Sequence, residues 1–324
     1  MKISDLGEIG LIERIRKNTK LFSNGIIKGI GDDAAVIKFD KKYYMLLTTD
    51  TMMQDDHFKL GWFNSEQIGK KAIESNVSDI AAMGGFPKYA LTSIIMPKTT
   101  SVDFIDGLYD GLNKAAKKYK ISIIGGNLSS GDKISITLTI VGFVEKKNLC
   151  LRSNAKVNDL ILVTGNLGSS RAGLELFRSN KSGSSINYYL NPASKLNIAR
   201  QLIKYGINAM EDVSDGLASE IINICSESKT GAVIYKEKIP LSRTTINDAK
   251  KVGKDAYDYA LFGGEDYELV CTINKNKFKN LEKINKKIKF KIVGKILPRK
   301  QGVYLLDKGN KKKLSYGYEH FKNN

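Results

Sequence analysis

Residues 43–85 read YYMLLTTDTMMQDDHFKLGWFNSEQIGKKAIESNVSDIAAMGG and contain both kinds of element expected in this chain. The continuous apolar run at 43–47 predicts a buried strand that delivers Thr48, Thr49 and Asp50 at its carboxyl end. From Asn64 onward, apolar residues recur at helical spacing up to the glycines at 84–85. Asn64 can cap this helix, with Gln67 three residues later. A buried strand followed by an amphipathic helix is typical of mixed α/β chains.

The alternation of strands and helices continues along the chain. Further strands are predicted at 121–124, 134–144, 160–164, 232–235, 267–273 and, last, 290–296, and further helices at 103–119, 171–177, 192–205, 217–228 and 278–287. A glycine loop is predicted at 125–127. The charged and polar segment 145–158 predicts a domain boundary. The sequence therefore predicts an α/β (α+β) fold of two domains, 1–147 and 148–324.

The chain is basic, with 52 Lys and Arg against 34 Asp and Glu among 324 residues, a formal net charge of +18. The positive electrostatic field of a chain with this net charge attracts phosphorylated metabolites, acidic surfaces or nucleic acid. The lysines are scattered through surface-like segments, and no helix-turn-helix, zinc-finger or RNA-binding signature is present. We interpret the excess mainly as solvated surface. A nucleic-acid-binding protein without catalysis stays open as an alternative, and it predicts binding that salt weakens steeply.

The three cysteines, Cys150, Cys225 and Cys271, are far apart in sequence and match no metal-binding or disulfide spacing. The first twenty residues lack the unbroken apolar core of a signal peptide. The longest apolar stretch, 134–144, is too short to span a bilayer. These observations predict a protein of the reducing cytoplasm.

Acidic residues gather beside glycines in short segments, which is conspicuous in a chain this basic. The segments are 29–33 (GIGDD), 48–50 (TTD), 55–57 (DDH), 76–79 (NVSD), 212–216 (DVSDG) and 263–268 (GGEDYE), and the loop 125–127 (GGN) carries an amide instead. Each segment taken alone is ordinary turn or cap chemistry. Packed carboxylates repel one another, however, so together they indicate a site that holds cations.

Magnesium is the cation that these residue types favour. It takes hard oxygen ligands, usually one or two carboxylates completed by water and substrate phosphates. A set of carboxylates could hold several ions, namely Asp33, Asp50, Asp79, Asp212 and Asp215. The hydroxyls of Thr48, Thr49 and Ser214 could complete the shells or bind phosphate. The sequence therefore predicts a site for phosphates bound through magnesium.

Other signatures of nucleotide chemistry are missing from the sequence. No Gly-x-x-x-x-Gly-Lys-Ser/Thr run, protein-kinase signature set or Gly-x-Ser-x-Gly elbow occurs. Phosphoryl transfer needs positioning and neutralisation of charge more than covalent help. If the acceptor is itself a phosphate, its oxygen is already ionised and no general base is required.

The ordered set of segments resembles the thiamine-monophosphate kinase family. The segments that carry the resemblance are GIGDDAAV at 29–36, TTDT at 48–51, HF at 57–58, NVSDIAAMG at 76–84, DVSDGL at 212–217 and GGEDYEL at 263–269. That family belongs to the superfamily of ATP-binding synthetases that includes aminoimidazole ribonucleotide synthetase. The resemblance covers residues 6–321, nearly the whole chain.

The resemblance implies a magnesium-dependent enzyme that transfers the γ-phosphate of ATP to thiamine monophosphate. It implies a homodimer whose N-terminal sheets meet, with ATP and several Mg²⁺ ions where the two domains join. The implied residues are Asp33, Thr48, Thr49, Asp50, Asp79, Asp212 and Asp215 for metal, Gly126, Arg152 and Ser214 for ATP, and His57, Glu265 and Tyr318 for the thiamine substrate. Asn127 stands where the family often has Asp and is expected to contact both metal and ATP. An amide oxygen can ligate magnesium but carries less charge.

Other members of the superfamily remain alternatives. Selenophosphate synthetases usually carry a reactive cysteine or selenocysteine near the N-terminus, whereas the first cysteine here is Cys150. Hydrogenase-maturation relatives end in a functional cysteine, whereas this sequence ends Phe321-Lys322-Asn323-Asn324. Aminoimidazole ribonucleotide synthetase fits the motifs less well. Turnover of ATP with thiamine monophosphate, compared with the formylglycinamidine substrate, distinguishes these enzymes.

Overall fold

The computed structural model describes residues 2–321. Residues 322–324, which distinguish this sequence from the hydrogenase-maturation relatives, lie outside the described residues. The described part of the first half, from residue 2 onward, forms nine helices and strands. They are α1 (Ile3–Asn18), β1 (Ile26–Lys28), β2 (Ala35–Lys38), β3 (Tyr43–Met53), α2 (Ser65–Ala82), β4 (Phe86–Met96), α3 (Val102–Tyr119), β5 (Ser122–Ser130) and β6 (Ser135–Glu145).

The second half of the chain carries the remaining strands and helices. They are β7 (Leu160–Thr164), α4 (Ser169–Arg178), α5 (Ile186–Leu190), α6 (Leu196–Leu202), β8 (Ile207–Asp212), α7 (Leu217–Ser228), β9 (Thr230–Tyr235), α8 (Arg243–Lys251), α9 (Ala256–Phe262), β10 (Leu269–Ile273), α10 (Lys275–Glu282), α11 (Asn285–Ile288), β11 (Phe290–Pro298), β12 (Val303–Asp307) and β13 (Asn310–Lys313).

Each half builds one sheet, which confirms the predicted mixed α/β class. The first sheet has six strands in the order β1-β2-β3-β6-β4-β5, and the second has seven in the order β13-β12-β9-β11-β7-β10-β8. Pairing is antiparallel except between β4 and β5 and between β9 and β12. The predicted boundary after residue 147 stays a prediction.

Helix α2 joins the two halves, because it packs on β3 and β6 of the first sheet and on α6 and β8 of the second half. Its start follows the predicted signal. Asn64 accepts from the backbone N–H of Gln67, whose side chain accepts in turn from the backbone N–H of Asn64. Most of its residues from Ile68 to Ala82 are buried. A helix buried on nearly all sides is held by packing and not by solvent-exposed charge.

Helices α2 and α3 approach each other so closely that glycine is required at their contact. A Cβ atom added at Gly69 of α2 would lie 2.1 Å from Leu108 O, and one at Gly111 of α3 would lie 1.9 Å from Glu66 O. Both distances are far shorter than any real contact. The two backbones therefore touch directly, which fixes α2 against α3.

Several predicted elements differ from the structure. The stretch 125–127 lies within strand β5 and is not a loop, because β5 pairs with β4 along residues 122–130. The helix predicted at 192–205 begins only at Leu196, and the one predicted at 278–287 is two short helices. The strand at 290–298 is not the last, since β12 and β13 follow. Strands β4 and β8 and helix α1 were not anticipated from local sequence.

Among residues 2–321, no helix is both long enough and apolar enough to cross a membrane. The cytoplasmic location stays a prediction from cysteine usage and the N-terminal sequence.

Candidate active site

A cavity of about 360 Å³ lies where β3 and α2 meet the loops after β8 and α9. Residues from both halves of the chain line it. The predicted site residues in its wall are Thr49, Asp50, His57, Asp79, Asp212, Ser214, Asp215, Glu265 and Tyr318. The structure therefore brings four of the predicted carboxylates and the three residues implied for the thiamine substrate into one cleft.

Strand β3 and helix α2 supply the first carboxylates. Thr48 and Asp50 are two residues apart on β3, so both side chains face the same side of the sheet, toward α2. Thr48 Oγ1 donates to Asp79 Oδ2 at 2.5 Å. Thr49 lines the cavity as well, but its side chain points to the opposite side of the strand, where Oγ1 donates to Leu138 O at 3.0 Å, so its role at metal stays a prediction. Local strand alternation thus places Asp50 beside Asp79.

The segment after β8 supplies the second pair of carboxylates. Asp212 ends the strand, and its Oδ2 accepts from Ser78 Oγ of α2 at 2.6 Å. The backbone N–H of Asp215 donates to Glu220 Oε1 at 2.8 Å, which ties the loop to α7. Ser214 O accepts from the backbone N–H of Glu265 at 2.8 Å. The loops at 213–216 and 263–267 are therefore joined by backbone hydrogen bonds at the cleft.

Asp33, Arg152 and Glu211 form a buried cluster that does not line the cavity. Arg152 Nη2 lies 2.5 Å from Asp33 Oδ1 and 2.9 Å from Glu211 Oε1. The other oxygen of Asp33 is buried and accepts no hydrogen bond from the described residues. Two carboxylates thus contact the guanidinium of Arg152. Its predicted contact with ATP stays a prediction.

Burial and neighbouring negative charges disfavour the ionised form of the carboxylates in the cleft. Burial, strengthened by neighbouring carboxylates, raises the pKa of Asp50, Asp79, Asp212 and Asp215, well above the usual range in the last three. The negative charge of Asp33 also raises the pKa of Asp50, Asp79 and Asp212. Like charges held together out of water favour protonation unless cations compensate them.

This donor set fits magnesium. The side chains that converge offer carboxylate and hydroxyl oxygens, the hard ligands that magnesium prefers. The buried and unpartnered Asp33 Oδ2 and the raised pKa values both indicate negative charge that lacks a partner within the described chain. Asp50, Asp79, Asp212 and Asp215 are the residues best placed to hold the ions.

The residues implied for the thiamine substrate gather at one end of the cleft. His57 Nδ1 accepts from the backbone N–H of Met53 at 3.1 Å, and burial lowers the pKa of its imidazole. The ring of His57 lies 5.2 Å from that of His320. Tyr318 donates to Asp56 Oδ1 at 3.2 Å. The last described residues thus lie across this end of the cleft.

Gly126 and Asn127 lie elsewhere in the single chain. The register places β6 and β4 between Asp50 and Gly126, a separation of about 14 Å for three strand spacings. Asn127 is opposite Ser93 and donates to Ser129 Oγ at 3.3 Å, on the exposed face of the sheet. Neither residue lines the cavity, so their expected contacts with metal and ATP stay predictions.

Sequence reasoning passed over several residues of this region. Glu211 and Glu220 are buried and accept from the same amide nitrogen, Asn223 Nδ2, at 2.9 Å and 3.5 Å, and burial raises the pKa of each. Glu211 precedes Asp212 in a strand that was not anticipated, and Glu220 sits in a predicted apolar helix. An acidic residue at a buried position of such a helix is the signal that could have identified Glu220.

Comparison with known proteins agrees with this geometry. Residues 31–144 match the N-terminal domain and residues 156–306 the C-terminal domain of AIR synthase related proteins. The chain is 36% identical to the thiamine-monophosphate kinase of Bacillus subtilis (strain 168), over 98% of this chain and 100% of the relative. It is 38% identical to the enzyme of the same name from Aquifex aeolicus (strain VF5), over 86% and 89% of the two chains.

A solved structure described as AaThiL complexed with AMPPCP and TMP superposes on this chain with a TM-score of 0.87. The two chains are 35% identical, and the match covers 99% of each. Full-length similarity at this level extends across both sheets and the cleft between them. This chain therefore belongs to the thiamine-monophosphate kinase family of AIR synthase related proteins.

Proposed function

We propose that this protein transfers the γ-phosphate of ATP to thiamine monophosphate and so forms thiamine diphosphate, with magnesium bound in the cleft. The observation that carries the proposal is the convergence of Asp50, Asp79, Asp212 and Asp215 in one cavity that also contains His57 and Glu265. Relatives named thiamine-monophosphate kinase support the choice of acceptor. So does the similar structure whose description names AMPPCP and TMP.

The chemistry suits a site without a general base. The acceptor phosphate of thiamine monophosphate is largely ionised at neutral pH, so its oxygen can attack without first losing a proton. The obstacle is repulsion between two polyanions. Bound magnesium would neutralise that charge and align the phosphates for direct in-line transfer.

The chain's own residues would hold and orient the reactants. Asp50 and Asp79 lie on one wall and Asp212 and Asp215 on the other, so phosphates bound through metal would lie between the two halves. Ser214 carries a hydroxyl in the same loop and can donate to phosphate. Glu265 supplies negative charge at the end of the cleft where a thiazolium ring, which is a cation, would bind.

The test is direct. Purified protein is incubated with ATP, magnesium and thiamine monophosphate, and thiamine diphosphate is measured by chromatography. We expect product only when all three are present, and none when EDTA removes the metal. Formylglycinamidine ribonucleotide serves as the alternative acceptor. ATP turnover with that acceptor but not with thiamine monophosphate would overturn the proposal.

We also propose that two copies associate through the first sheet. Helices α2 and α3 cover one face of this sheet, whereas Leu91 and Ile95 of β4 point to the other face and are 43% and 40% exposed. Ile124 and Leu128 on edge strand β5 are 61% and 65% exposed. Leu128 is opposite the buried Ile94, so it is exposed at the open edge of the sheet and not on the same face as Leu91 and Ile95. Apolar side chains exposed on an open face and along an open edge are typical of a surface that a partner covers.

A second copy is the partner that the family resemblance favours, and Asn127 would then lie at the contact between subunits. Sedimentation velocity measures the mass in solution. We expect a dimer for the unchanged protein and a monomer for the double variant Leu91→Asp, Ile95→Asp. A monomeric unchanged protein at micromolar concentration would contradict this arrangement.

A further inference from the structure

Lys71 of α2 is a buried cation beside the end of the cleft where the thiamine ring would bind. Its side chain is only 1% exposed. Its ammonium lies 2.6 Å from Glu265 Oε1 and donates to the backbone oxygen of His57 at 2.9 Å. The rings of Tyr189 and Phe63 lie 4.8 Å and 5.2 Å away, measured to their centroids.

Every contact of this ammonium replaces hydration that it lost on burial. A buried charge is costly unless it is paired and hydrogen-bonded, and here a carboxylate, a carbonyl and two ring faces share that role. The same contacts restrain the partners. Lys71 links the backbone at His57, in the first half, to the side chain of Glu265, in the second half.

Glu265 is a residue that needs such restraint. Its backbone has a φ of +64°, a left-handed conformation that is rare for non-glycine residues. Its side chain is 24% exposed and has several rotatable bonds, so without a partner it would sample other rotamers toward water. Because Lys71 holds Oε1, the second oxygen of Glu265 remains available to a ligand in the cleft.

We propose that Lys71 is a positioning residue that sets the affinity for the organic cation of the phosphate acceptor by fixing Glu265 against the loop that carries His57. This inference rests on the proposed function. Lys71 itself does not line the cavity and acts through Glu265, so it affects binding of the acceptor and leaves binding of ATP unchanged.

The experiment measures the KM of both substrates for Lys71→Met, Glu265→Gln and the double variant. Methionine keeps the length and apolar stem of lysine and removes only the charge and its hydrogen bonds. We expect Lys71→Met to raise the KM for thiamine monophosphate about 10- to 100-fold, the effect of losing a hydrogen bond to a charged group, with the KM for ATP within about twofold. In the Glu265→Gln variant, adding Lys71→Met should change the KM for thiamine monophosphate much less.

Lys70→Met is the matched control, because Lys70 precedes Lys71 on the same helix and is only partly buried. It should leave both constants unchanged. Equal changes in the two KM values for Lys71→Met, or full additivity with Glu265→Gln, would overturn the inference and indicate a purely structural role.

If Lys71→Met does not fold, Lys71→Gln takes its place, since glutamine is neutral but can still donate hydrogen bonds. The same criteria then apply to it. An unchanged protein that forms no thiamine diphosphate would overturn the proposed function and this inference together. An active unchanged protein, together with a normal KM for thiamine monophosphate in whichever Lys71 variant folds, would overturn the inference alone.

Discussion

The hydroxyl of Ser78 on α2 donates a hydrogen bond of 2.6 Å to Asp212 Oδ2 at the end of β8. Both residues are buried, and they belong to opposite halves of the chain. The bond fixes one oxygen of Asp212 before any ligand arrives, and it becomes charge-assisted and stronger when a bound cation keeps the carboxylate ionised. One half of the protein therefore orients a proposed metal ligand that the other half supplies.

We predict that Ser78→Ala lowers the free energy of unfolding by about 1–3 kcal/mol, because it leaves a buried carboxylate oxygen without its donor. We also expect a higher magnesium concentration at half-maximal turnover, since Asp212 becomes free to rotate. Urea unfolding and magnesium titration measure the two effects. Ser226→Ala, at an exposed position of α7, is the control. A magnesium requirement equal to that of the unchanged protein would remove Ser78 from this role.

Asp50 and Asp215 are proposed to bind metal from opposite walls of the cleft. We predict that Asp50→Asn or Asp215→Asn lowers turnover on the order of 100-fold or more, because each loses a charged ligand, while the fold survives. Steady-state assays at saturating magnesium and circular dichroism measure these outcomes. Asp110→Asn, at an exposed site on α3, should be as active as the unchanged protein. Near-normal activity of either cleft variant would exclude that residue as a ligand.

Stability without metal should decrease as pH rises. Burial raises the pKa of Asp32 and of Asp266 to about 7, so the folded state binds these protons more tightly than the unfolded state does. Their contribution to stability is complete below about pH 4 and is lost as pH rises through about 7. We therefore expect the unfolding free energy in EDTA to decrease between about pH 4 and pH 7. The cleft carboxylates Asp79, Asp212 and Asp215, whose pKa values burial also raises, act in the same direction, and magnesium should reduce their part of the decrease because cations replace their protons.

Denaturant unfolding at several pH values, with EDTA or magnesium, tests this expectation. Asp266 Oδ2 accepts from the backbone N–H of Gly168 and Oδ1 from that of Ser170, and asparagine keeps the shape and one of these two acceptors but does not ionise. Asp266→Asn should therefore fold and show a weaker pH dependence. Glu145 makes stability rise with pH, but only in acid, because the hydrogen bond from Arg200 lowers the pKa of Glu145 to about 2. Stability that rises with pH across the window in EDTA would contradict the prediction.

Glu265→Gln tests the thiamine end of the cleft. We predict that it raises the KM for thiamine monophosphate about tenfold and changes the KM for ATP by less than about twofold, because it removes the negative charge that faces the organic cation. Initial rates with each substrate varied in turn supply both constants. Equal effects on the two constants would count against a role in substrate binding.

Features encoded in a few neighbouring residues could be predicted from the sequence. The cap of α2 is one, because Asn64 and Gln67 satisfy each other's backbone N–H groups within a single turn. Strand β7 and helix α7 have the predicted bounds, since each is a short apolar element between clear turn signals. The prediction that the acidic segments share a site rests on the same logic, and the structure places Asp50 and Asp212 in one cavity.

Features that depend on distant partners could not be predicted. Glycines at 125–126 suggest a loop, yet Gly126 lies in a strand where an added Cβ would be 1.8 Å from Thr92 O. Glycine is needed there because of a neighbouring strand, which the local sequence does not reveal. Lys71 resembles any surface lysine in the sequence, because its partner Glu265 comes from the other half of the chain. Position in the fold, and not residue type, gives these residues their roles.

The direct backbone contact between α2 and α3 at Gly69 and Gly111 has a mechanical consequence. Helix α2 carries Lys71, Ser78 and Asp79 on a support that cannot slide without atomic overlap. We therefore expect any rearrangement that accompanies catalysis in the opposite wall, where backbone hydrogen bonds join the loops at 213–216 and 263–267 to each other and Glu220 of α7 holds the first of them. Helix α2 contacts this wall through side chains, Lys71 with Glu265 and Ser78 with Asp212. One wall of the cleft would thus stay fixed while the other moves. Hydrogen-exchange rates measured with and without nucleotide should change in the loops at 213–216 and 263–267 and not in α2.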